Sequence, residues 1–330
     1  MRVFVTGATG ALGRHLVPGL VAAGHEVTAT TRTPGKAGQL REAGAEPVIL
    51  DGLDREAVIS ALRAALPEVV VHEMTALADL HSFRNPDKTF AATNALRTRG
   101  TDNLLAAAAA AGTRRVLAQS YAGAGPDKRS DGRLKTDDDP LEWRPLPGAM
   151  QMPAAVRHVE EAVPAGAAEG IVLRYGTLYG PGASDVLLEA VRKRQVPVIG
   201  GGTGVWSFIE VTDAASATLA AVEAGAPGVY NVVDSDPAPV AEWLPVPGRG
   251  RGREAAAAGA RLARAAARRA VPCGPDDHLS RILQPEGEAG APLGAAVREL
   301  AGGISCLGPR MRRPQRPKRT GRCCFPSPTG

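Results

Sequence analysis

The chain has 330 residues, 44% of them apolar and 4% aromatic, with a formal net charge of +5, a length that suits one large α/β unit or two lobes. No apolar run approaches the roughly 18 residues that a membrane span requires, and Met1 leads straight into a strand-like stretch rather than a charged-then-apolar leader. Membrane and secreted readings are therefore disfavoured, and a cytoplasmic protein is expected.

Val3-Phe-Val-Thr6 is a short apolar run bounded by glycine, the pattern of a buried parallel strand. Gly7-Ala-Thr9-Gly10-Ala11-Leu12-Gly13 follows, and Leu12, Leu16, Val17, Leu20 and Val21 then mark one face of a helix ending at Gly24. Glycine permits a tight turn, lets backbone approach a diphosphate, and lets helix pack close to strand. The free amides at such a helix start point at phosphate oxygens. Gly7, Thr9, Gly10, Ala11, Leu12 and Gly13 are therefore the candidate cofactor-binding residues; the bland alternative is a structural turn without a ligand. Pro18 lies inside this helix and predicts a bend.

A second strand, Val27-Thr-Ala-Thr-Thr31, ends at Arg32. An acidic residue about 20 positions after the glycine loop bonds the ribose of NAD, whereas an Arg there neutralises the 2′-phosphate of NADP. Arg32, with Lys36, favours NADP over NAD; a solvated surface Arg is the alternative. A third strand, Pro47-Val-Ile-Leu50, ends in Asp51-Gly52, where the Asp51 carboxylate can bond an adenine. A helix at 54–65 leads to a fourth strand, Glu68-Val-Val-Val71. At its end His72 and Glu73 are placed on the nicotinamide side of a crevice, as neutral lining, with His81 in the following loop. An Ala-rich helix over 91–112 feeds a fifth strand, Arg115-Val-Leu-Ala118, ending at Gln119-Ser120. This alternation predicts an α/β fold, a doubly wound parallel sheet with its ligand at the carboxyl ends of the strands.

The segments resemble the extended and atypical short-chain dehydrogenase/reductases, the NAD-dependent epimerase/dehydratase family, from residue 2 to about 245. Thr6-Gly7-Ala-Thr-Gly10-Ala-Leu-Gly13 looks like the cofactor loop of that family. Asn94 and Gly100-Thr101 resemble its structural Asn and Gly-Thr pair. Leu173-Arg174-Tyr175-Gly176-Thr177-Leu178-Tyr179-Gly180-Pro181-Gly182 is similar to its Arg-Tyr…Tyr-Gly-Pro-Gly segment. Gly201-Gly202-Thr203-Gly204 with Phe208-Ile209-Glu210-Val211-Thr212-Asp213, and Gly228-Val229-Tyr230-Asn231-Val232, resemble its late helix approach and last core strand. The resemblance implies a Rossmann domain at 1–172 and a partial substrate lobe at 173–245 interleaved with the sheet. It also implies a small carbonyl or sugar-type substrate and a homodimer through helices flanking the fourth and fifth strands.

Members of the family usually work through a Tyr acid/base and a Lys four residues later, with a Ser or Thr on the preceding strand end. A free Tyr titrates near 10, so a neighbouring cation must favour its anion near neutral pH. The four tyrosines, Tyr121, Tyr175, Tyr179 and Tyr230, are followed four positions on by Gly125, Tyr179, Ala183 and Asp234, none of them Lys. On the helix at 149–163 the usual Tyr and Lys positions fall on Met152 and Val156. Ser120 remains as the candidate catalytic residue, with a loop-capping hydroxyl as its alternative. Tyr121 should point to the face opposite Ser120, and His158 fits a surface or packing role. No His/Cys cluster has metal-ligand spacing, so no metal is expected. Two functions stay open: an NAD(P)-dependent oxidoreductase or epimerase, or a non-catalytic NAD(P)-binding sensor or structural protein.

Past Pro245 the material changes. Residues 1–245 carry 23 Lys+Arg and 28 Asp+Glu, a net −5, whereas residues 246–330 carry 16 and 6, a net +10. All four cysteines lie in this second part, and only 12 of its 85 residues are Leu, Ile, Val or Phe, below the roughly 20% under which a charged chain tends not to fold. Gly, Ala, Arg and Pro dominate it, as expected of a disordered tail or of a GC-rich gene translated out of frame. The basic run from Arg310 to Arg322 lacks aromatic platforms, which disfavours a nucleic-acid partner.

Overall fold

A computed structural model describes residues 1–77, 86–122, 136, 137, 139, 150–196, 202–235 and 237–244. His81 and the tail 246–330 lie outside the described residues. In chain order the strands are β1 (Arg2–Thr6), β2 (Glu26–Thr31), β3 (Glu46–Ile49), β4 (Val69–His72), β5 (Arg115–Tyr121) and β6 (Glu169–Tyr175). β7 (Thr177–Tyr179), β8 (Val205–Trp206), β9 (Phe208–Glu210), β10 (Gly228–Val232) and β11 (Ala238–Pro239) complete them. The helices are α1 (Gly13–Ala22), α2 (Ala37–Glu42), α3 (Arg55–Ala65), α4 (Pro86–Thr89), α5 (Ala91–Ala95), α6 (Thr101–Ala111), α7 (Gln151–Ala162), α8 (Asp185–Arg192), α9 (Val211–Glu223) and α10 (Val240–Trp243).

Seven strands pair in the order β10-β6-β5-β4-β1-β2-β3, all parallel, with Val3 opposite both Val27 and Val69. The strand order reverses between β1 and β4, which opens a crevice at their carboxyl ends. Both faces of the sheet are covered, so successive strand residues feed different cores. Val3, Val5, Val69, Val71, Leu117, Ile171 and Leu173 join the core shared with α1 and α9. Phe4, Val70, Val116, Ala118 and Val172 join the one shared with α3, α6 and α7. This is why the central strands read as near-continuous Val and Leu rather than as alternation.

α3 begins on Asp54, whose carboxylate accepts from the Ala57 amide, and α9 on Glu210, which accepts from Thr212 and Asp213. α1 runs unbroken through Pro18, which is exposed, while Gly13, Leu16, Val17 and Leu20 are buried. The single helix expected over 91–112 is instead α5, a π-helical turn at Leu96–Gly100, and α6. Thr98 Oγ1 donates to the Asn94 carbonyl (2.9 Å) and Thr101 Oγ1 to the Arg97 carbonyl (2.7 Å), occupying acceptors where the turn widens. Beyond the main sheet, β7 pairs with β9 and β8 with β11. They frame a third apolar cluster around Trp206, Phe208 and Trp243, whose rings lie 4.9–6.4 Å apart.

Candidate active site

The three glycines of the opening loop do different work. Gly7 has φ +73°, and a Cβ there would fall 2.3 Å from the Glu73 carbonyl oxygen, so the loop is pressed against the end of β4. Gly13 is buried, and its Cβ would fall 2.5 Å from the Ala8 carbonyl oxygen, which brings the helix tight against the loop. Gly10 is exposed, and a Cβ there would meet only the Gly7 carbonyl oxygen, at 3.1 Å. The turn closes with the Gly10 amide donating to Gly7 (2.9 Å) and the Arg14 amide to Gly10 (3.2 Å). Residues 11–13 lie at the helix start, where the helix provides no acceptor for their amides, and its first turn has no acidic residue. An open glycine beside first-turn amides is a cradle that fits the diphosphate of a dinucleotide.

The other predicted cofactor residues follow the carboxyl ends of β1, β2 and β3. Thr9 Oγ1 lies 3.3 Å from Thr31 Oγ1, and Thr31 Oγ1 accepts from the Thr33 amide at 3.2 Å. These contacts hold the end of β2, where Arg32 is exposed, next to the glycine loop. Asp51 Oδ1 accepts from the Leu53 amide (3.0 Å), and Asn103 Nδ2 donates to the Gly52 carbonyl (3.1 Å). Arg14 was missed by the sequence reading. Its Nε reaches the Gly10 carbonyl at 3.4 Å, and its Nη1 lies 2.5 Å from where a Gly182 Cβ would stand. A cation one residue past the last loop glycine was the available signal.

α7 carries Met152, half-buried, and Val156, fully buried. Ser120 does not present a free hydroxyl to the crevice. Its Oγ donates to Glu160 Oε1 at 2.6 Å, and Arg174 holds the same carboxylate through Nε (2.8 Å) and Nη2 (2.9 Å). Arg174 Nη1 also donates to the Asp137 carbonyl (3.1 Å), and Asp137 Oδ1 accepts from the Asn231 amide (2.6 Å). This buried network ties α7 to β5, β6 and β10. Tyr121 takes the opposite direction, with its hydroxyl 3.2 Å from Thr177 Oγ1. His158 Nε2 lies 2.7 Å from Asp102 on the surface.

His72 and Glu73 are both buried at the end of β4. His72 Nδ1 accepts from the Met74 amide (3.3 Å) and Nε2 meets Thr101 Oγ1 (3.1 Å). Burial drives its pKa down to about 4, so it is a neutral imidazole with a fixed tautomer. Burial pushes Glu73 up to about 8. The Tyr175 hydroxyl contacts both Glu73 Oε1 (3.2 Å) and Thr218 Oγ1 (2.6 Å), while Thr218 donates to the Ala214 carbonyl (2.7 Å). Tyr175 then faces two acceptors with one proton unless Glu73 carries its own. No group of three or more metal-ligating side chains exists among the described residues, and no described helix is long and apolar enough to cross a membrane.

The sequence profile of the NAD dependent epimerase/dehydratase family matches residues 3–232. The chain is 45% identical over 250 residues to a 3-diazoavenalumate denitrifying reductase from a Streptomyces species, covering 74% of this chain and 80% of the relative. It is 31% identical over 256 residues to a 4-hydroxy-2-methyl-3-oxo-4-farnesyl-3,4-dihydroquinoline-1-oxide ketoreductase from Stigmatella aurantiaca, covering 74% and 71%. A crystal structure of the Thermus thermophilus UDP-glucose 4-epimerase in complex with NAD superposes with a TM-score of 0.58 at 25% identity, covering 74% and 83%.

Proposed function

This chain belongs to the NAD dependent epimerase/dehydratase family, and we propose that it is an NADP(H)-dependent reductase whose acceptor needs no proton from a tyrosine, namely an aryl diazo group that leaves as nitrogen. The loop amides of 11–13 and the Arg14 guanidinium hold the diphosphate, Arg32 the 2′-phosphate, and Asp51 the adenine. A bound nicotinamide supplies a hydride. In net terms an aryl diazonium ion plus hydride gives the arene and N2, so the ring gains a C–H bond, the C–N bond breaks, and no proton is consumed. Reduction of a carbonyl, by contrast, leaves an alkoxide that must be protonated.

The observation that carries this reading is the chemistry of α7. By the family resemblance, Met152 and Val156 stand at the positions where a Tyr and a Lys would supply and stabilise that proton, and the Ser120 hydroxyl donates to Glu160. The 45% identical relative, whose name gives a diazo substrate and loss of nitrogen, supports it. Met152 is half-buried and Val156 fully buried, and neither side chain offers a proton donor or a cation.

The test is anaerobic turnover of ortho-hydroxybenzenediazonium with NADPH, following cofactor absorbance and N2 release together. One NADPH oxidised per N2, above the rate without protein, is expected. Turnover of a carbonyl panel with no diazonium-dependent NADPH oxidation would overturn the reading.

A further inference from the structure

Two buried polar side chains beside α7 have no role in the chemistry above. Asn94 in α5 and Arg97 in the π turn are three residues apart, which places them on one side of the helical segment. Each is only 6% exposed. Neither amide atom of Asn94 has a hydrogen-bond partner among the described residues, and neither does Nε of Arg97. None of the ion pairs among the described residues involves Arg97. A buried polar atom left unsatisfied costs about 1–3 kcal/mol, and more when it is charged. Three such atoms together mark a place built for a polar occupant.

The position limits what that occupant is. The π turn packs against α7, the helix of Met152 and Val156. Thr101, whose hydroxyl meets His72 Nε2 and donates to the Arg97 carbonyl, ties the same turn to the end of β4. Burial lowers the Arg97 pKa only to about 10, so the guanidinium stays charged at neutral pH. A desolvated guanidinium is compensated best by an oxyanion, which accepts charge-assisted hydrogen bonds in the plane of its N–H groups. The Asn94 amide adds neutral donors alongside.

We propose that Arg97 and Asn94 form the binding site for an anionic oxygen of the substrate, a carboxylate or phenolate carried by its aromatic ring. The inference takes its location from the proposed reduction, but it concerns binding, so the two fail separately. Wild-type protein saturated with NADP+ is titrated calorimetrically with benzoate, para-nitrophenolate and neutral benzamide. One or both anions bind at least about tenfold more tightly than benzamide, a difference of about 1.4 kcal/mol, and which anion is preferred identifies the oxygen. Arg97→Met abolishes that preference without changing NADP+ affinity, and Arg97→Lys retains part of it. If Arg97→Met also loses NADP+, Arg97→Lys and Asn94→Leu decide, through the anion-to-benzamide ratio at unchanged NADP+ affinity. Equal binding of all three probes to the wild type, as a site filled only by water would give, overturns the proposal. So does an unchanged ratio in the variants that keep NADP+. Diazonium turnover is read independently of either outcome.

Discussion

Alanine at Gly10 and at Gly13 separates the ligand-binding role of the loop from its packing role. At Gly10 the added methyl meets a single atom, the Gly7 carbonyl oxygen at 3.1 Å, and the residue does not have a left-handed backbone. The cost to the free protein is therefore small, within about 0.5 kcal/mol. The same methyl projects into the space through which a phosphate must approach the first-turn amides, so NADPH affinity falls by about tenfold or more, at least ~1.4 kcal/mol. At Gly13 the methyl falls 2.5–2.6 Å from three backbone atoms of Ala8, where ordinary contact begins at 3.4 Å. Loop and helix must part by nearly 1 Å, an overpacking cost of about 1–3 kcal/mol. In a folded region of this size each kcal/mol lowers the melting temperature by about 2–4 °C. Calorimetric titration with NADPH and thermal melts of both variants check this. Gly10→Ala with wild-type NADPH affinity would refute the argument that this turn cradles a diphosphate.

Arg32→Ala should weaken NADPH by about 1.5–3 kcal/mol, the worth of a hydrogen bond to a charged group, and leave NADH affinity unchanged; equal losses for both cofactors in paired titrations would count against a 2′-phosphate contact. Glu73 has a folded pKa near 8 against an ordinary value of 4.5, so between these pH values the unfolded chain has released a proton that the folded one keeps, and stability falls with rising pH. His72, lowered from 6.5 to about 4, acts oppositely below pH 6.5, so the two slopes offset there, and only the Glu73 loss, roughly 1.4 kcal/mol per pH unit, remains between 6.5 and 8. Urea melts should show that decline in the wild type and not in Glu73→Gln. Arg115 donates to Glu169 and to the carbonyls of Ala221, Ala224 and Gly225 around the end of α9; Arg115→Met leaves those acceptors unpaired and should cost about 2–4 kcal/mol in the same melts.

The sheet was legible in the sequence because its determinants are local. Val-rich runs buried on both faces, a glycine turn, and an Asp at the start of α3 each act within a few residues. The break in the helix over 91–112 was not legible, because Ala-rich sequence favours an α-helix on both sides of the turn. The widening depends on threonine hydroxyls bonding back to carbonyls. Ser120 shows the same limit more sharply. Strand-end position made it a catalytic candidate, yet what its hydroxyl meets is set by Glu160, forty residues away on α7, and by Arg174 on β6. The absence of a Tyr–Lys pair could be read directly, whereas the unsatisfied state of Asn94 and Arg97 exists only in three dimensions.

The Glu160–Arg174–Ser120 network bears on how α7 is held in a chain that has no Tyr–Lys pair. A helix that no longer carried catalytic residues would be free to drift, and its register on the sheet would matter little. Here α7 is fixed to β5 and β6 by a doubly hydrogen-bonded ion pair, with the side chains of Arg174 and Glu160 only 8% and 10% exposed. Burying such a pair carries a desolvation cost that apolar packing would avoid, so its benefit lies in fixing one geometry rather than in raw stability. The position of α7 is thus held although Met152 and Val156, at the positions where the resemblance puts a Tyr and a Lys, offer neither a proton donor nor a cation. That combination is what a hydride acceptor needing shape and dryness, but no proton, calls for.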